Sequence, residues 1–142
     1  MYNLTLKDTY PLPRIDESLD NLSGITWFST LDLCSGYWQV SVKTAFVTRK
    51  GLFQFRKMSF LLTCAPATIQ RLMETAMAGL QWEICLIYLD DVIVVGRTFE
   101  HMIENLSKVL DRIVSAGLKL KPKKCVLFSR KVLYLGHLVY RP

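Results

Sequence analysis

The sequence predicts an α+β fold in which an antiparallel sheet carries helices on one face, and three observations lead there. Short β-prone runs and two long amphipathic stretches follow one another as strand, helix, strand, strand, helix, strand. Apolar residues make up 51% of the chain but are spread over short runs interrupted by charges, without internal repeat or low-complexity segment. A length of 142 residues suits a single domain with one core.

The first dozen residues read as an extended linker, because Pro11 and Pro13 remove donors and bias their predecessors away from helix. Over residues 13–22, Ile15, Leu19 and Leu22 recur at helical spacing, with Asp16 and Glu17 in the first turn and Gly24 just past the end. Residues 27–33 are β-prone and put Asp32 at the close of a strand, before a Ser35-Gly36 break and the aromatic pair Tyr37-Trp38. Residues 40–48 and 52–55 form a hairpin with a basic tip, Arg49-Lys50-Gly51. A helix starts near Pro66 and carries Ile69, Leu72, Met73, Ala76, Met77 and Leu80 on one stripe, fraying at Gly79. Residues 83–88 and 92–95 are buried strands flanking Asp90 and Asp91. A second amphipathic helix over 99–116 uses Met102, Ile103, Leu106, Leu110, Ile113 and Val114, and Gly117 stops it. Short strands over 118–120, 126–128 and 132–139 complete the chain, separated by basic turns.

The longest apolar stretch, residues 84–95, is cut by its two aspartates, and the N-terminus lacks the layout of a signal peptide. No membrane span is expected, and an intracellular location, cytoplasmic or nuclear, is. The cysteines Cys34, Cys64, Cys85 and Cys125 form no C-x-x-C pair, and His101 and His137 stand alone, so neither a disulfide framework nor a zinc site is expected. The formal charge of +6 is crowded into the last quarter, at Lys119, Lys121, Lys123, Lys124, Arg130, Lys131 and Arg141. Such a block suits a polyanion, and it equally suits a solvated surface.

An Asp-Asp turn taken alone is turn chemistry. Here both strands feeding it are too apolar for a solvent hairpin, and Asp32 ends a strand of the same predicted sheet. Two carboxylates about 4 Å apart repel by about 4 kcal/mol at an effective dielectric of 20, which protonation or a cation must offset. All-oxygen ligands suit Mg²⁺ or Mn²⁺ rather than zinc. Two such ions can clamp the attacking and leaving oxygens of an in-line phosphoryl displacement, which is nucleotidyl-transfer chemistry.

Several ordered blocks then carry a resemblance. They are Tyr10-Pro11-Leu12-Pro13-Arg14-Ile15-Asp16, Phe28-Ser29-Thr30-Leu31-Asp32-Leu33 with Ser35-Gly36-Tyr37-Trp38-Gln39-Val40, Ala65-Pro66-Ala67-Thr68, Tyr88-Leu89-Asp90-Asp91, Gly117-Leu118-Lys119-Leu120 and Tyr134-Leu135-Gly136-His137. Over nearly its whole length the chain resembles the reverse transcriptase of gypsy-class LTR retrotransposons. The resemblance implies a polymerase palm-like sheet (ferredoxin-like β-α-β-β-α-β) with partial fingers. It implies RNA-directed DNA polymerase activity on an RNA template and DNA primer, with dNTP as substrate, and Asp32, Asp90 and Asp91 as the triad for two Mg²⁺ or Mn²⁺ ions. Tyr37, whose bland alternative is packing beside Trp38, matches the aromatic gate under the incoming sugar, and the resemblance implies that Leu33 and Phe60 belong to the same nucleotide site. Lys124 matches a cation for the leaving pyrophosphate. Tyr88, Leu133, Tyr134, Leu135 and Gly136 match positions that hold primer and template, residues 133–137 matching the hairpin at the primer end.

The chain also departs from the family pattern. It begins after the hairpin whose Lys and Arg grip the triphosphate, and stops at Pro142, before thumb, connection and RNase H. The connection from Val40 to Lys43-Thr44-Ala45-Phe46 is shortened. Met58-Ser59-Phe60-Leu61-Leu62 stands for Met-Pro-Phe-Gly-Leu, and Cys64 for an Asn. Leu61 puts a bulky side chain where a glycine lets the backbone approach the nucleotide. The expectation is a truncated copy from a larger polyprotein, one palm domain over residues 1–142. Two other readings stand beside polymerase activity: a non-catalytic remnant binding nucleic acid through its basic C-terminal strip, and a metal-dependent phosphohydrolase, for which no histidine lies near the acids in sequence.

Overall fold

The structure is a computed structural model that describes residues 10–34, 41–57 and 65–141. The expectations for Tyr37, Trp38, Phe60, Leu61 and Cys64, and for the first nine residues of the predicted linker, lie outside that set. The described elements are α1 (Ile15–Asp20), β1 (Trp27–Asp32), β2 (Ser41–Thr48), β3 (Gly51–Lys57), α2 (Ala65–Ala76), β4 (Cys85–Tyr88), β5 (Asp91–Gly96), α3 (Phe99–Ser115), a 3-10 turn (Pro122–Lys124), β6 (Val126–Ser129), β7 (Lys131–Tyr134) and β8 (His137–Tyr140).

Four strands form the central sheet in the order β4-β5-β1-β6, every neighbouring pair antiparallel. This is the order the strand-helix-strand-strand-helix-strand plan requires, because the β4–β5 hairpin sits on one side of β1 and the last strand on the other. Alternation along the strands then sorts their side chains. Leu31, Leu33, Cys85, Ile87, Val92 and Val94 meet Ile69 and Met73 of α2 and Met102, Leu106, Val109 and Ile113 of α3. On the opposite face Phe28, Leu86, Ile93 and Val95 meet Leu22 and the inward residues of the β7–β8 hairpin, Val132 and Tyr134. Burial on both faces explains why β4 and β5 read as continuous apolar runs rather than alternating ones.

α3 is closed at both ends by its own sequence. Thr98 caps the start, its hydroxyl oxygen accepting from the His101 N–H at 3.1 Å. At the other end Gly117 takes φ +70, and the Leu118 and Gly117 N–H groups donate to Ile113 and Val114 carbonyls at 3.0 and 2.9 Å. That is a Schellman closure, which favours glycine at the left-handed position.

Three boundaries differ from the sequence expectations. β4 starts at Cys85 rather than at residue 83, because the Glu83 and Ile84 N–H groups turn back to the Leu80 carbonyl at 3.3 and 3.0 Å. Residues 118–120 form no strand of their own. They contribute one bridge, Leu33 to Leu120, and a Lys119 carbonyl that accepts from Cys34 N–H at 2.8 Å. The run that alternation reads as one strand over 132–139 is instead a hairpin, as the family resemblance implies, and its two-residue turn, Leu135-Gly136, has φ of +50 and +78. Positive φ at both positions matches the strand twist of a tight hairpin, but a leucine at the first of them disguises the turn. The expected basic-tipped hairpin forms as β2–β3, with Thr48 opposite Gly51.

Gly96 ends β5 where α3 crosses it. A Cβ there would lie 2.7 Å from the Met102 backbone nitrogen and 2.8 Å from its Cα. Gly96→Ala should therefore force β5 and α3 apart and destabilise the fold by about 2 kcal/mol, read as a lowered urea midpoint at unchanged slope.

Candidate active site

β1 runs out at Asp32 and β5 begins at Asp91, and the antiparallel register sets these residues directly opposite each other. Paired positions in such a ladder share a face. Asp32 and Asp91 therefore lie side by side on the face that carries the β7–β8 hairpin. Tyr88 pairs with Asp91 across the β4–β5 hairpin, leaving Leu89 and Asp90 as its two-residue turn. The Asp90 carbonyl accepts from Leu33 N–H at 3.2 Å, which ties the turn to the end of β1.

A cavity of about 120 Å³ opens beside the acids, lined by Asp32, Asp91, Lys124 and, from the hairpin, Leu133, Tyr134 and Leu135. Lys124 comes in from the 3-10 turn, which the Lys121 N–H fastens to the Asp32 carbonyl at 2.8 Å. Its Nζ stands 3.7 Å from Asp32 Oδ2 and is well exposed, so the pair is a loose, solvent-screened one. The Asp91 carboxyl is pushed above the usual carboxylate range, first by burial, then by the Asp90 and Asp32 carboxylates, with Lys124 opposing.

Among the described residues no three His, Cys, Asp or Glu side chains converge as a ready ligand cluster. Asp32 and Asp91 share the cavity, and Asp90 is the adjoining donor in the turn. All three offer carboxylate oxygen, the donor type that a hard divalent cation takes. The repulsion felt by Asp91 is the charge imbalance such a cation relieves. By donor chemistry the residues fit a divalent metal.

The turn itself is held by a residue the sequence analysis missed. Leu89 has φ +56, uncommon for a bulky side chain. Its N–H donates at 2.7 Å to Oε1 of Gln70, a fully buried side chain of α2. The Gln70 Nε2 donates in turn to Glu74 Oε1 at 2.9 Å and, more weakly, to the Ile87 carbonyl at 3.4 Å. The legible signal was a glutamine on the helix stripe between Ile69 and Met73, where burial demands that every polar atom find a partner.

The remaining expected site residues are spread over two environments. Leu33 packs its side chain into the helix-side core, leaving its backbone at the acid end. Tyr88 is half-buried at the end of β4. In the β7–β8 hairpin Leu133 is 69% exposed whereas Tyr134 is 3% exposed, and Leu135 and Gly136 form the turn. The Tyr134 hydroxyl has no hydrogen-bond partner among the described residues, and burial, then the Asp91 carboxylate, push its pKa upward. Of the basic strip, Arg130 stacks over Trp27, Lys131 over Tyr140, and Arg141 donates to the Thr26 hydroxyl at 3.0 Å. Lys121, Lys123 and Lys124 are exposed around the 3-10 turn.

A family profile described as Reverse transcriptase (RNA-dependent DNA polymerase) matches residues 1–139. The chain belongs to the reverse transcriptase family. It is 40% identical over 138 residues to the retrovirus-related Pol polyprotein from transposon 412 of Drosophila melanogaster, covering 93% of this chain and 11% of that protein. Against the Pol polyprotein from transposon gypsy of the same fly it is 32% identical, covering 95% of this chain and 14% of the relative. It is also 45% identical over 97 residues to an RNA-directed DNA polymerase homolog of Oenothera berteroana, covering 64% of this chain and 68% of that one. The chain thus spans only a small part of the polyproteins it matches. Among solved structures, the foamy viral protease-reverse transcriptase in complex with an RNA/DNA hybrid superposes with TM-score 0.82 at 20% identity, over 95% of this chain and 19% of that one. A form of that protein in complex with double-stranded DNA gives 0.83 at 20% identity, over 96% and 25%. These likenesses establish the palm-like α+β fold of this reverse transcriptase domain. No helix among the described residues is long and apolar enough to cross a membrane.

The raised Asp91 pKa has a definite sign in stability. Below the ordinary carboxylate value of 3.8 the group is protonated in folded and unfolded chains alike and contributes nothing. As pH rises through the window above that value, the unfolded chain releases its proton first, and the folded state is penalised from there upward. Asp91→Asn should therefore raise the thermal midpoint at pH 7 in a chelator-containing buffer and leave it nearly unchanged at pH 3, as followed by circular dichroism.

Proposed function

We propose that this domain carries out template-directed DNA synthesis, joining a dNTP to a primer 3′-hydroxyl with an RNA strand as template. The observation that carries the proposal is the pairing of Asp32 with Asp91 at the end of a sheet buried on both faces, with Asp90 in the adjoining turn. In this reading the three carboxylates hold two Mg²⁺ or Mn²⁺ ions, which when bound activate the attacking hydroxyl and stabilise the leaving oxygen.

The chain's own residues supply position and charge. The β7–β8 hairpin walls the cavity beside the acids through Leu133, Tyr134 and Leu135, and in this reading it would seat the primer end. Lys124, exposed and 3.7 Å from Asp32 Oδ2, would neutralise the pyrophosphate as it departs. Tyr37 and Phe60 are assigned to the nucleotide side on the family resemblance alone. A larger polyprotein supplying thumb, connection and RNase H around this domain belongs to the same proposal.

A second reading has its own support. The exposed Lys121, Lys123 and Lys124 would bind a phosphate backbone even without catalysis.

Primer extension on an RNA template with Mg²⁺ or Mn²⁺ tests the first reading. Wild type should extend, and Asp90→Asn should lose about a thousandfold or more in rate. No incorporation by folded wild type would overturn the catalytic proposal and leave family membership standing. Binding to an RNA-DNA duplex should weaken steeply as salt is raised, and Lys121→Ala with Lys123→Ala should flatten that dependence. Salt-insensitive binding would remove the second reading.

A further inference from the structure

The catalytic turn is connected to a distant part of the chain through one carboxylate. Glu74, half-buried on α2, accepts from Gln70 Nε2 at 2.9 Å through Oε1. Its Oε2 accepts from the Tyr10 hydroxyl, 64 residues earlier in sequence, and Gln81 Nε2 lies 3.5 Å from Oε1. The Arg71 guanidinium sits 4.9 Å over the Tyr10 ring and seats it against the helix.

A glutamine carboxamide has two orientations of nearly equal shape, and only its partners choose between them. An ionised carboxylate accepts and never donates, so Glu74 can face only the NH₂ side of Gln70. That choice turns Oε1 toward Leu89, where it meets the N–H at 2.7 Å. In the flipped orientation an NH₂ would confront the Leu89 N–H, donor against donor, at a fully buried side chain. Without Glu74, the acceptor left to Nε2 among the described residues is the Ile87 carbonyl at 3.4 Å, too long to enforce the orientation.

We propose that Glu74 is a positioning residue for the Leu89-Asp90 turn, acting through Gln70, and that Tyr10 sets Glu74 in turn. The relay gives Tyr10, which touches Glu74 and Arg71 of α2, a mechanical connection to the acids. Its catalytic consequence rests on the polymerase reading above, whereas its structural consequence does not.

Amide hydrogen exchange on the full 142-residue chain separates the two. In Glu74→Leu the Leu89 amide should exchange about tenfold faster or more, while amides in the middle of α3, such as Val109, keep their protection. Glu74→Gln can present a carbonyl oxygen to Nε2 and should restore most of the protection. Tyr10→Phe, which removes only a hydroxyl, should act in the same direction with a smaller effect. In primer extension Glu74→Leu should lower kcat by about tenfold with KM for dNTP little changed, and Glu74→Gln should recover it. Unchanged Leu89 exchange in Glu74→Leu and Tyr10→Phe overturns the relay. If Glu74→Leu fails to fold, Tyr10→Phe and Glu74→Gln decide: unchanged exchange in Tyr10→Phe, or exchange in Glu74→Gln as fast as that of a Gln70→Leu control, overturns it. Faster Leu89 exchange in a chain that never extends a primer would uphold the relay and reject the polymerase reading instead.

Discussion

Because α2 and α3 cover one face of the four-stranded sheet and the β7–β8 hairpin covers the other, side chains in the middle of β4 and β5 have no route to water. Charge can be tolerated only where those strands end. Asp32, Asp90 and Asp91 occupy one such end, and the pairing of β1 with β5 brings acids distant in sequence into one register. The same burial that builds the core is therefore what gathers the carboxylates and raises the pKa of Asp91. A cation that relieves the repulsion would bind to a framework whose shape is already fixed by apolar packing.

Fixing the turn requires more than packing. A leucine at positive φ is unfavourable, and a two-residue turn between apolar strands leaves its own N–H to be satisfied. Gln70 meets that need from the helix side, and Leu33 grips the Asp90 carbonyl from the β1 side. The turn is thereby anchored to two separate elements through its backbone. The third support, at Asp32, comes from the chain after α3, whose Lys121 N–H bonds the Asp32 carbonyl and so brings Lys124 alongside.

How much of this was legible in the sequence follows from which forces act locally. The amphipathic period of α3, its Gly117 stop and the β4–β5 hairpin are set by neighbours in the chain, and these elements lie within a residue or two of where periodicity places them. The hairpin over residues 131–140 was not readable from alternation, since Leu135 occupies a conformation that its type disfavours and only Gly136 hints at a turn. Residues 118–120 have strand composition but too few partners to form a ladder, a fact decided by the position of β1. For the site, the acids were visible as residue types, and the ordered blocks around them supplied the family. Gln70 and Glu74 were not visible, because their role is a tertiary hydrogen-bond chain that no spacing rule encodes.

One property of the Gln70 contact reaches into how the turn can vary. The glutamine holds residue 89 by its main-chain N–H, not by its side chain. The chemical identity of that position is thus uncoupled from the grip: methionine, alanine or asparagine would present the same donor, and proline alone would not. Neighbouring Asp90 and Asp91 have no such freedom in the proposed chemistry, since their carboxylates are the working atoms. Within four consecutive residues, then, the backbone grip leaves one position open to sequence drift, and the proposed chemistry would close two others to it.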